Sequence, residues 1–135
     1  MAYIRQRITI INISKPSESN INKELQWIGN SLGLFNMRDK DKSRFRLFIE
    51  LLKSAKQNSP ISSDELVEKL GITRGTVIHH LNKLMESGLV IHQRRRYILR
   101  VDSLASLIEE VEKDFERTFD IIIEVAKDVD DKMKD

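Results

Sequence analysis

The side chains best suited to chemistry in this sequence are cations and hydrogen-bond donors grouped between residues 73 and 96. Arg74, His79 and Asn82 have spacings that bring them to one side of a helix, and three consecutive arginines follow at residues 94–96. Guanidinium and amide groups donate hydrogen bonds to phosphate oxygens and to base edges. The grouping therefore predicts a polyanionic ligand.

The same sequence lacks the residue sets that catalysis and metal binding usually require. It contains no cysteine, and no Ser/His/Asp spacing, glycine-rich phosphate loop or HExxH motif is present. His79 and His80 are adjacent, and adjacent helical positions point about 100° apart, so the pair is poorly placed to bind one ion. We expect His80 to pack within the protein and His79 to contact a groove or a phosphate. We expect no enzyme activity, no cofactor and no metal site.

The charge of the chain is divided unevenly along its length. Of 135 residues, residues 1–101 hold 18 Lys and Arg against 9 Asp and Glu, whereas residues 102–135 hold 5 against 12. A basic body joined to an acidic final segment suggests that only the body meets a polyanion.

Two features of the sequence argue against a membrane or secreted protein. The longest apolar runs, such as Ile121-Ile122-Ile123, are too short to cross a bilayer. Arg5 and Arg7 interrupt the early isoleucines, so these residues do not form a secretory signal. We expect a cytoplasmic protein with no membrane partner.

The first third of the chain predicts a strand and two helices. Residues 3–13 are rich in β-branched residues and predict a strand whose partner is distant or on another chain, or else a segment packed on the last helix. Residues 20–34 predict a helix capped by Asn20 and ended by Gly33. After a charged connection at residues 36–44, a second helix is expected through Lys56, with the inward side chains Phe45, Phe48, Ile49 and Leu52.

The next segment contains strong signals for helix ends. Ser62 and Glu65 have the spacing of a capping box, and Gly71 is placed to end the short helix that follows. Thr73 can cap another helix, in which Val77, Leu81 and Leu84 repeat on one face. Two strand-like runs at 89–92 and 97–101 then flank a four-residue loop, Gln93–Arg96.

A long final helix is predicted from about residue 103 to residue 133. Its apolar residues alternate at intervals of four and three, which is the heptad pattern of a coiled coil. The helix either folds back on its own domain or, as we prefer, pairs two copies of the chain. The dimerisation residues expected on this seam are Leu104, Ile108, Val111, Phe115, Ile122, Val125 and Val129.

The run from Gly71 to Val90, with its T-V-x-H-H-L core and the following S-G-L-V, resembles the helix-turn-helix of ArsR-type regulators. The resemblance covers residues 41–101, and the long closing helix is similar to the dimerisation helix of archaeal members. It implies a DNA-binding regulator with a recognition helix and a wing. Metal-sensing members use cysteines, or His and acidic pairs on the last helix. This chain has no Cys and no His after His92, which argues against metal sensing.

We therefore predict a mainly α fold with a small β wing, a winged helix-turn-helix with a long C-terminal dimerisation helix and an N-terminal strand and helix extension. The expected divisions are residues 1–36, 37–101 and 102–135. The predicted function is a homodimeric, sequence-specific double-stranded DNA-binding transcriptional regulator, with any small-molecule effector unknown. The alternative is a winged-helix protein-interaction module that uses the N-terminal strand and Trp27.

The expected DNA contacts lie on the outer face of the recognition helix, at the wing tip and at one helix N-terminus. Alternatives remain for several of them: Arg94–Arg96 as a solvated turn, Ser62 and Ser63 as caps only, and Gly75 as a tolerated first-turn residue. For Lys40, Lys42, Arg44 and Arg46, we expect side chains that are solvated at the surface in preference to side chains that bind phosphate. The predicted DNA-binding residues are Ser62, Ser63, Thr73, Arg74, Gly75, Thr76, Ile78, His79, Asn82, Lys83, Arg94, Arg95 and Arg96.

Overall fold

A computed structural model of the protein describes residues 3–35 and 42–134. The described chain is mainly helical and includes a small antiparallel sheet of strand order β1-β3-β2. Lys40 and most of the charged connection lie outside the described residues. The elements are α1 (Ile21–Ser31), α2 (Ser43–Lys56), β1 (Ile61–Ser62), α3 (Ser63–Leu70), α4 (Arg74–Glu86), β2 (Val90–Gln93), β3 (Arg96–Leu99) and α5 (Leu104–Lys132).

The hydrophobic core lies between α2, α3, α4, the sheet and the start of α5. Phe45 and Phe48 point inward on α2 as predicted, but Ile49 and Leu52 are only half-buried. The fully buried leucines of α2 are instead Leu47 and Leu51. The inward face differs from the predicted one because α2 contacts α3, α4 and β3 together, which buries a wider face than one apolar stripe.

The helix ends that were predicted from local residue types are confirmed. The side chain of Asn20 caps α1, and Ser62 forms the complete capping box with Glu65 at the start of α3. Thr73 caps α4 through the backbone N–H of Thr76 at 3.1 Å. Gly71 ends α3 with a left-handed φ of 66°, a conformation that glycine adopts without a steric penalty.

The wing differs from the predicted hairpin. Strands β2 and β3 pair in a register that places Gln93 opposite Arg96, so the predicted four-residue loop is wrong and the turn consists of Arg94 and Arg95 alone. Both residues have positive φ, 48° and 68°, as the central residues of a type I′ turn require. A third strand, β1, pairs its Ile61 with Tyr97, which the sequence analysis did not predict.

Within one chain residues 3–13 form no strand, and the predicted alternative, packing on the last helix, is confirmed by the hydrogen bond from Gln6 to Asp114. Pairing with a strand of a second copy stays a prediction. The segment is extended, but it forms single hydrogen bonds to helix ends in place of a sheet ladder. The Arg7 N–H donates to the Glu86 carbonyl at 2.9 Å, and the Ile11 N–H donates to the Ser31 carbonyl at 2.7 Å. Carbonyls at a helix C-terminus lack intrahelical partners, so they accept these bonds.

The final helix begins after the Ser103 cap, as predicted, and is 29 residues long. Leu107 and Val111 belong to the protomer core, and Leu104 packs against it. The assignment of Val111 to a dimer seam is therefore corrected, since its side chain is already buried within one chain. Beyond Phe115 the described part of α5 is exposed. Among the described residues, no helix has the length and apolar composition needed to cross a membrane.

Candidate nucleic-acid interface

Helix α4 presents two different faces. Val77, Leu81 and Leu84 are fully buried, and they attach the helix to the core. The opposite face is exposed, apart from Thr76 and Ile78, which are half-buried, and Ile78 packs against the core. The exposed members are Arg74, Gly75, His79, Asn82 and Lys83.

The two adjacent histidines of α4 have different environments. His79 is exposed, whereas His80 is buried. The Oγ of Ser43 lies 2.6 Å from Nε2 of His80, and Nε of Arg44 donates to its Nδ1 at 3.0 Å. Because Nδ1 accepts a hydrogen bond, the proton of a neutral ring belongs on Nε2. The prediction that His80 is a packed helix residue is confirmed.

The N-termini of α3 and α4 and the wing together form a groove of about 580 Å³. It brings together residues that are far apart in the sequence and that were predicted separately to bind DNA. The groove also contains Asp64, which was not among the predicted site residues. The predicted residues that line it are Ser62, Ser63, Arg74, Arg94, Arg95 and Arg96.

An acidic residue forms an ion pair with the arginine that begins α4. Arg74 forms an ion pair with Asp64, and both side chains remain mostly exposed. The outer face of α4 has no acidic residue of its own, but the fold places the Asp64 carboxylate of α3 beside it. The two residues lie in different helices, so no helical spacing in the sequence could reveal the contact.

A second acidic residue, Glu86, ends α4. Nε of Arg7 lies 2.5 Å from Oε1 of Glu86, and this hydrogen bond holds the pKa of the Glu86 carboxyl below its usual value. The N-terminal segment, defined as residues 3–13, thus neutralises the acidic end of α4. Nothing in the helical or strand spacing of the sequence predicts this contact of Arg7, because 79 residues separate it from Glu86.

The three wing arginines are not equivalent. Arg96 donates to Oε1 of Glu65 at 2.9 Å, which connects β3 to the capping box of α3. The Ser62 backbone N–H, together with Arg96, lowers the pKa of Glu65. Arg94 and Arg95 are exposed and have no ion pair within the described residues. The tip of the wing is therefore positively charged and available to a ligand.

Ser62 caps α3 as predicted, whereas Ser63 is the first residue of the helix. The Ser62 Oγ accepts from the Glu65 N–H at 3.1 Å and also contacts its carboxylate. Ser63 is half-buried beside it and lines the groove. A helix N-terminus directed into a basic groove favours an anion.

Two of the more N-terminal cations bind the protein itself. Nη1 of Arg44 donates to the Leu34 carbonyl, and Nη2 of Arg46 donates to the Leu70 carbonyl, both at 2.8 Å. Lys42 is exposed and precedes α2. Solvation alone therefore does not describe Arg44 and Arg46, since they join loops and helix ends to α2.

The predicted dimerisation seam is exposed over the second half of α5. Ile122, Val125 and Val129 are 56%, 56% and 46% exposed. Ile108 and Phe115 are half-buried at the edge of the protomer. The described residues include no group of three or more His, Cys, Asp or Glu side chains that could hold a metal ion.

Comparison with known proteins identifies one segment of the chain. Residues 41–91 match a family described as winged helix-turn-helix DNA-binding. This span contains α2, β1, α3, α4 and the first two residues of β2, so the family match and the fold agree on a winged helix-turn-helix domain. No curated protein and no solved structure matches the chain significantly.

Proposed function

We propose that the protein is a sequence-specific double-stranded DNA-binding transcriptional regulator that acts as a homodimer. In this proposal α4 enters the major groove, and the arginine turn of the wing contacts the backbone or the minor groove. Its function would be similar to that of the ArsR-type regulators that the sequence resembles, without their metal sites. The cytoplasm, where it would bind the chromosome, is the compartment that this function requires.

The observation that carries the proposal is the common orientation of α4 and the wing. Arg74 at the start of α4 lines the same groove as Arg94 and Arg95. A helix in the major groove reads all four base pairs, and arginines beside it bind phosphates or a narrow minor groove. The recognition helix α4 and the cationic turn beside it can therefore contact the same duplex.

The salt dependence of binding tests this surface. Each phosphate contact contributes about 0.9 to the slope of log K against log salt concentration. The double change Arg94→Ala and Arg95→Ala should lower that slope by about 1.8 and weaken binding to every sequence. Lys132→Ala with Lys134→Ala, at the far end of the chain, is the matched control and should change neither. A parent protein without any salt-sensitive duplex complex would disprove DNA binding.

Sequence specificity has a separate test at α4. If Arg74 donates to a guanine edge, Arg74→Ala should relax discrimination at one base pair by about 1–3 kcal/mol. Binding to unrelated duplexes should change less. Selection of bound fragments from genomic DNA measures this preference, and a homodimer predicts inverted repeats with half-sites about 34 Å apart.

The homodimer is supported by the unpaired apolar face of α5. Contiguous exposed apolar surface of this kind is characteristic of an association site. Sedimentation velocity of the full chain should give twice the protomer mass, and Ile122→Asp with Val125→Asp should give monomers. A parent protein that remains monomeric at micromolar concentrations would disprove this part of the proposal.

One observation favours the alternative, a protein-interaction module. Arg74 and Arg96 are already neutralised by Asp64 and Glu65 within the protein. A winged helix that does not bind DNA would retain these ion pairs and show no salt-sensitive gel shift with random duplex at low salt. The salt experiment therefore distinguishes the two functions.

A further inference from the structure

We propose that the end of α5 from a second copy of this chain lies in a groove between α5 and the N-terminal segment, so that two copies pair antiparallel. The inference rests on the homodimer proposed above and adds the direction of pairing and a second component of the interface. The occupant is the ridge, defined here as Ile122, Val125, Val129 and Met133 of the partner copy.

The groove is about 870 Å³ and lies between residues 3–8 and residues 114–122 of α5. Tyr3 and Ile4 form one wall, although they are 82% and 68% exposed. Phe115 and Phe119 contribute to the other wall, with ring centroids 5.2 Å apart. Two large side chains that lie beside the apolar face of α5, yet are open to solvent, indicate an unfilled contact surface.

The ridge continues along the same helix beyond the groove. Its four residues lie at positions 0, +3, +7 and +11, and so share one face. They are exposed by 56%, 56%, 46% and 77%, and the ridge is about 16 Å long at 1.5 Å per residue. A small molecule bound in the groove would leave this surface in water, whereas a second helix covers both.

The shape of the patch, combined with two-fold symmetry, selects the antiparallel direction. In a two-fold dimer the same patch of each copy meets itself. This patch has a groove at one end and a protruding ridge at the other, so an axis near Ile122 seats each ridge in the groove of its partner. Parallel pairing would join ridge to ridge and leave both grooves open.

The charges beside the groove and beside the ridge are consistent with antiparallel pairing. Arg5 lines the groove, and residues 3–13 contain no acidic residue. By helical spacing Asp130 lies beside the ridge. Within the residues that the structure describes, Arg5 and Asp130 form no ion pair. Antiparallel pairing brings the ends that carry these two charges together.

The proposed interface would also be connected to α4 through the N-terminal segment. Nε2 of Gln6 donates to the Ser87 carbonyl at 3.0 Å, directly after α4. Arg7 binds Glu86 through both its backbone and its side chain. A partner ridge that buries Tyr3 and Ile4 therefore holds the segment that is fixed to the end of α4.

Disulfide trapping tests the direction of pairing, and because the sequence contains no cysteine, only the introduced residues can cross-link. Full-length chains carrying Ile4→Cys are mixed with differently tagged chains carrying either Val125→Cys or Val129→Cys, and then oxidised. Antiparallel pairing should give a mixed covalent dimer with at least one partner position. A chain with Val129→Cys alone should not cross-link to itself. Self-linking at that position, or no mixed product from a dimeric protein, would overturn the inference.

A substitution series measures the same contact without cross-linking. Tyr3→Ala with Ile4→Ala removes side chains that are exposed in the protomer, so the free energy of unfolding of one chain should hardly change. The dimer dissociation constant should nevertheless rise at least tenfold. Ile21→Ala, 73% exposed on α1, is the matched control. A dimeric parent whose affinity is unchanged by the Tyr3 and Ile4 substitutions would refute this inference alone, whereas a monomeric parent would refute the proposed homodimer.

Discussion

Gln6 donates a hydrogen bond of 2.8 Å to Asp114, and this contact joins the first residues of the chain to its last helix. Asp114 is 5% exposed. Its other carboxylate contacts are the guanidinium of Arg100, through two hydrogen bonds, and that of Arg117. The buried carboxylate is therefore surrounded by donors from three parts of the fold.

The first prediction concerns the pH dependence of stability. The hydrogen bond from Arg100 chiefly lowers the pKa of Asp114, from 3.8 to about 2. A carboxyl with a depressed folded-state pKa contributes stability above its unfolded pKa and loses it as the pH falls through the folded value. Asp114 should thus supply about 2 kcal/mol at neutral pH, lost between about pH 4 and pH 2. Urea unfolding of the parent and of Asp114→Asn over this range measures it.

Asp120→Asn provides the control for that measurement. Asp120 is exposed on the same helix, so its substitution should leave the stability curve parallel to that of the parent. The difference between the parent and Asp114→Asn should shrink as the pH falls. A difference that stays constant from pH 7 to pH 2 would show that the ionised carboxylate contributes nothing specific.

The second prediction separates stability from binding at the wing tip. Non-glycine residues at positive φ cost about 1–3 kcal/mol each, and Arg94 and Arg95 both have this conformation. Replacing them by Asn and Gly, the preferred pair for a type I′ turn, should raise the free energy of unfolding by about 1 kcal/mol, because the relief of strain at positive φ exceeds the conformational entropy that glycine adds to the unfolded chain. The same change should weaken duplex binding and lower its salt slope, because two cations are lost.

Arg94→Ala with Arg95→Ala is the comparison for this variant. It removes the same charges without supplying a residue suited to positive φ, so binding should fall equally while stability does not rise. If the Asn-Gly variant is less stable than the parent, the turn is not strained as described.

The third prediction addresses why α4 contains Gly75. An added Cβ would meet nothing within 4 Å in the free protein, and alanine favours a helix over glycine by up to about 1 kcal/mol. Gly75→Ala should therefore stabilise the fold by about 0.5 kcal/mol. If the α4 backbone approaches a duplex closely, the same methyl group should weaken specific binding. Thermal unfolding and a binding isotherm on one operator fragment measure both effects.

Gly29→Ala is an informative contrast. There, an added Cβ would lie 1.8 Å from the ring of Phe35, so the substitution should destabilise the protein, in the opposite direction to Gly75→Ala. A Gly75→Ala protein that binds its operator like the parent would show that this glycine is merely tolerated in the first turn.

The features that the sequence predicted well are those set by neighbouring residues. The capping box of Ser62 and Glu65 and the left-handed Gly71 depend on contacts within four residues, so their residue types reveal them. The outer face of α4 followed similarly, because Val77, Leu81 and Leu84 define the buried side by their spacing.

Two of the errors involve partners that are distant in the sequence, and a third involves a turn that lacks its usual residue types. The N-terminal segment has the composition of a strand, but its hydrogen bonds go to the carbonyl ends of α1 and α4. The turn at Arg94 and Arg95 lacks the glycine or asparagine that usually indicates a type I′ turn in a sequence. The Asp64 carboxylate reaches Arg74 only because Gly71 folds α3 back toward α4.

The last prediction concerns that acidic residue. Asp64 places a negative charge in the groove that is proposed to receive phosphates, and it occupies Arg74. Asp64→Asn should tighten binding to all duplexes by about threefold to fivefold at low salt, because an exposed ion pair is worth at most about 1 kcal/mol. Glu68→Gln, exposed on the same helix but not part of the groove lining, should change affinity less. In a double-mutant cycle with Arg74→Ala, the gain from Asp64→Asn should shrink when Arg74 is absent. If the gain is the same in both backgrounds, Asp64 repels the duplex without restraining Arg74, and the ion pair has no influence on base reading.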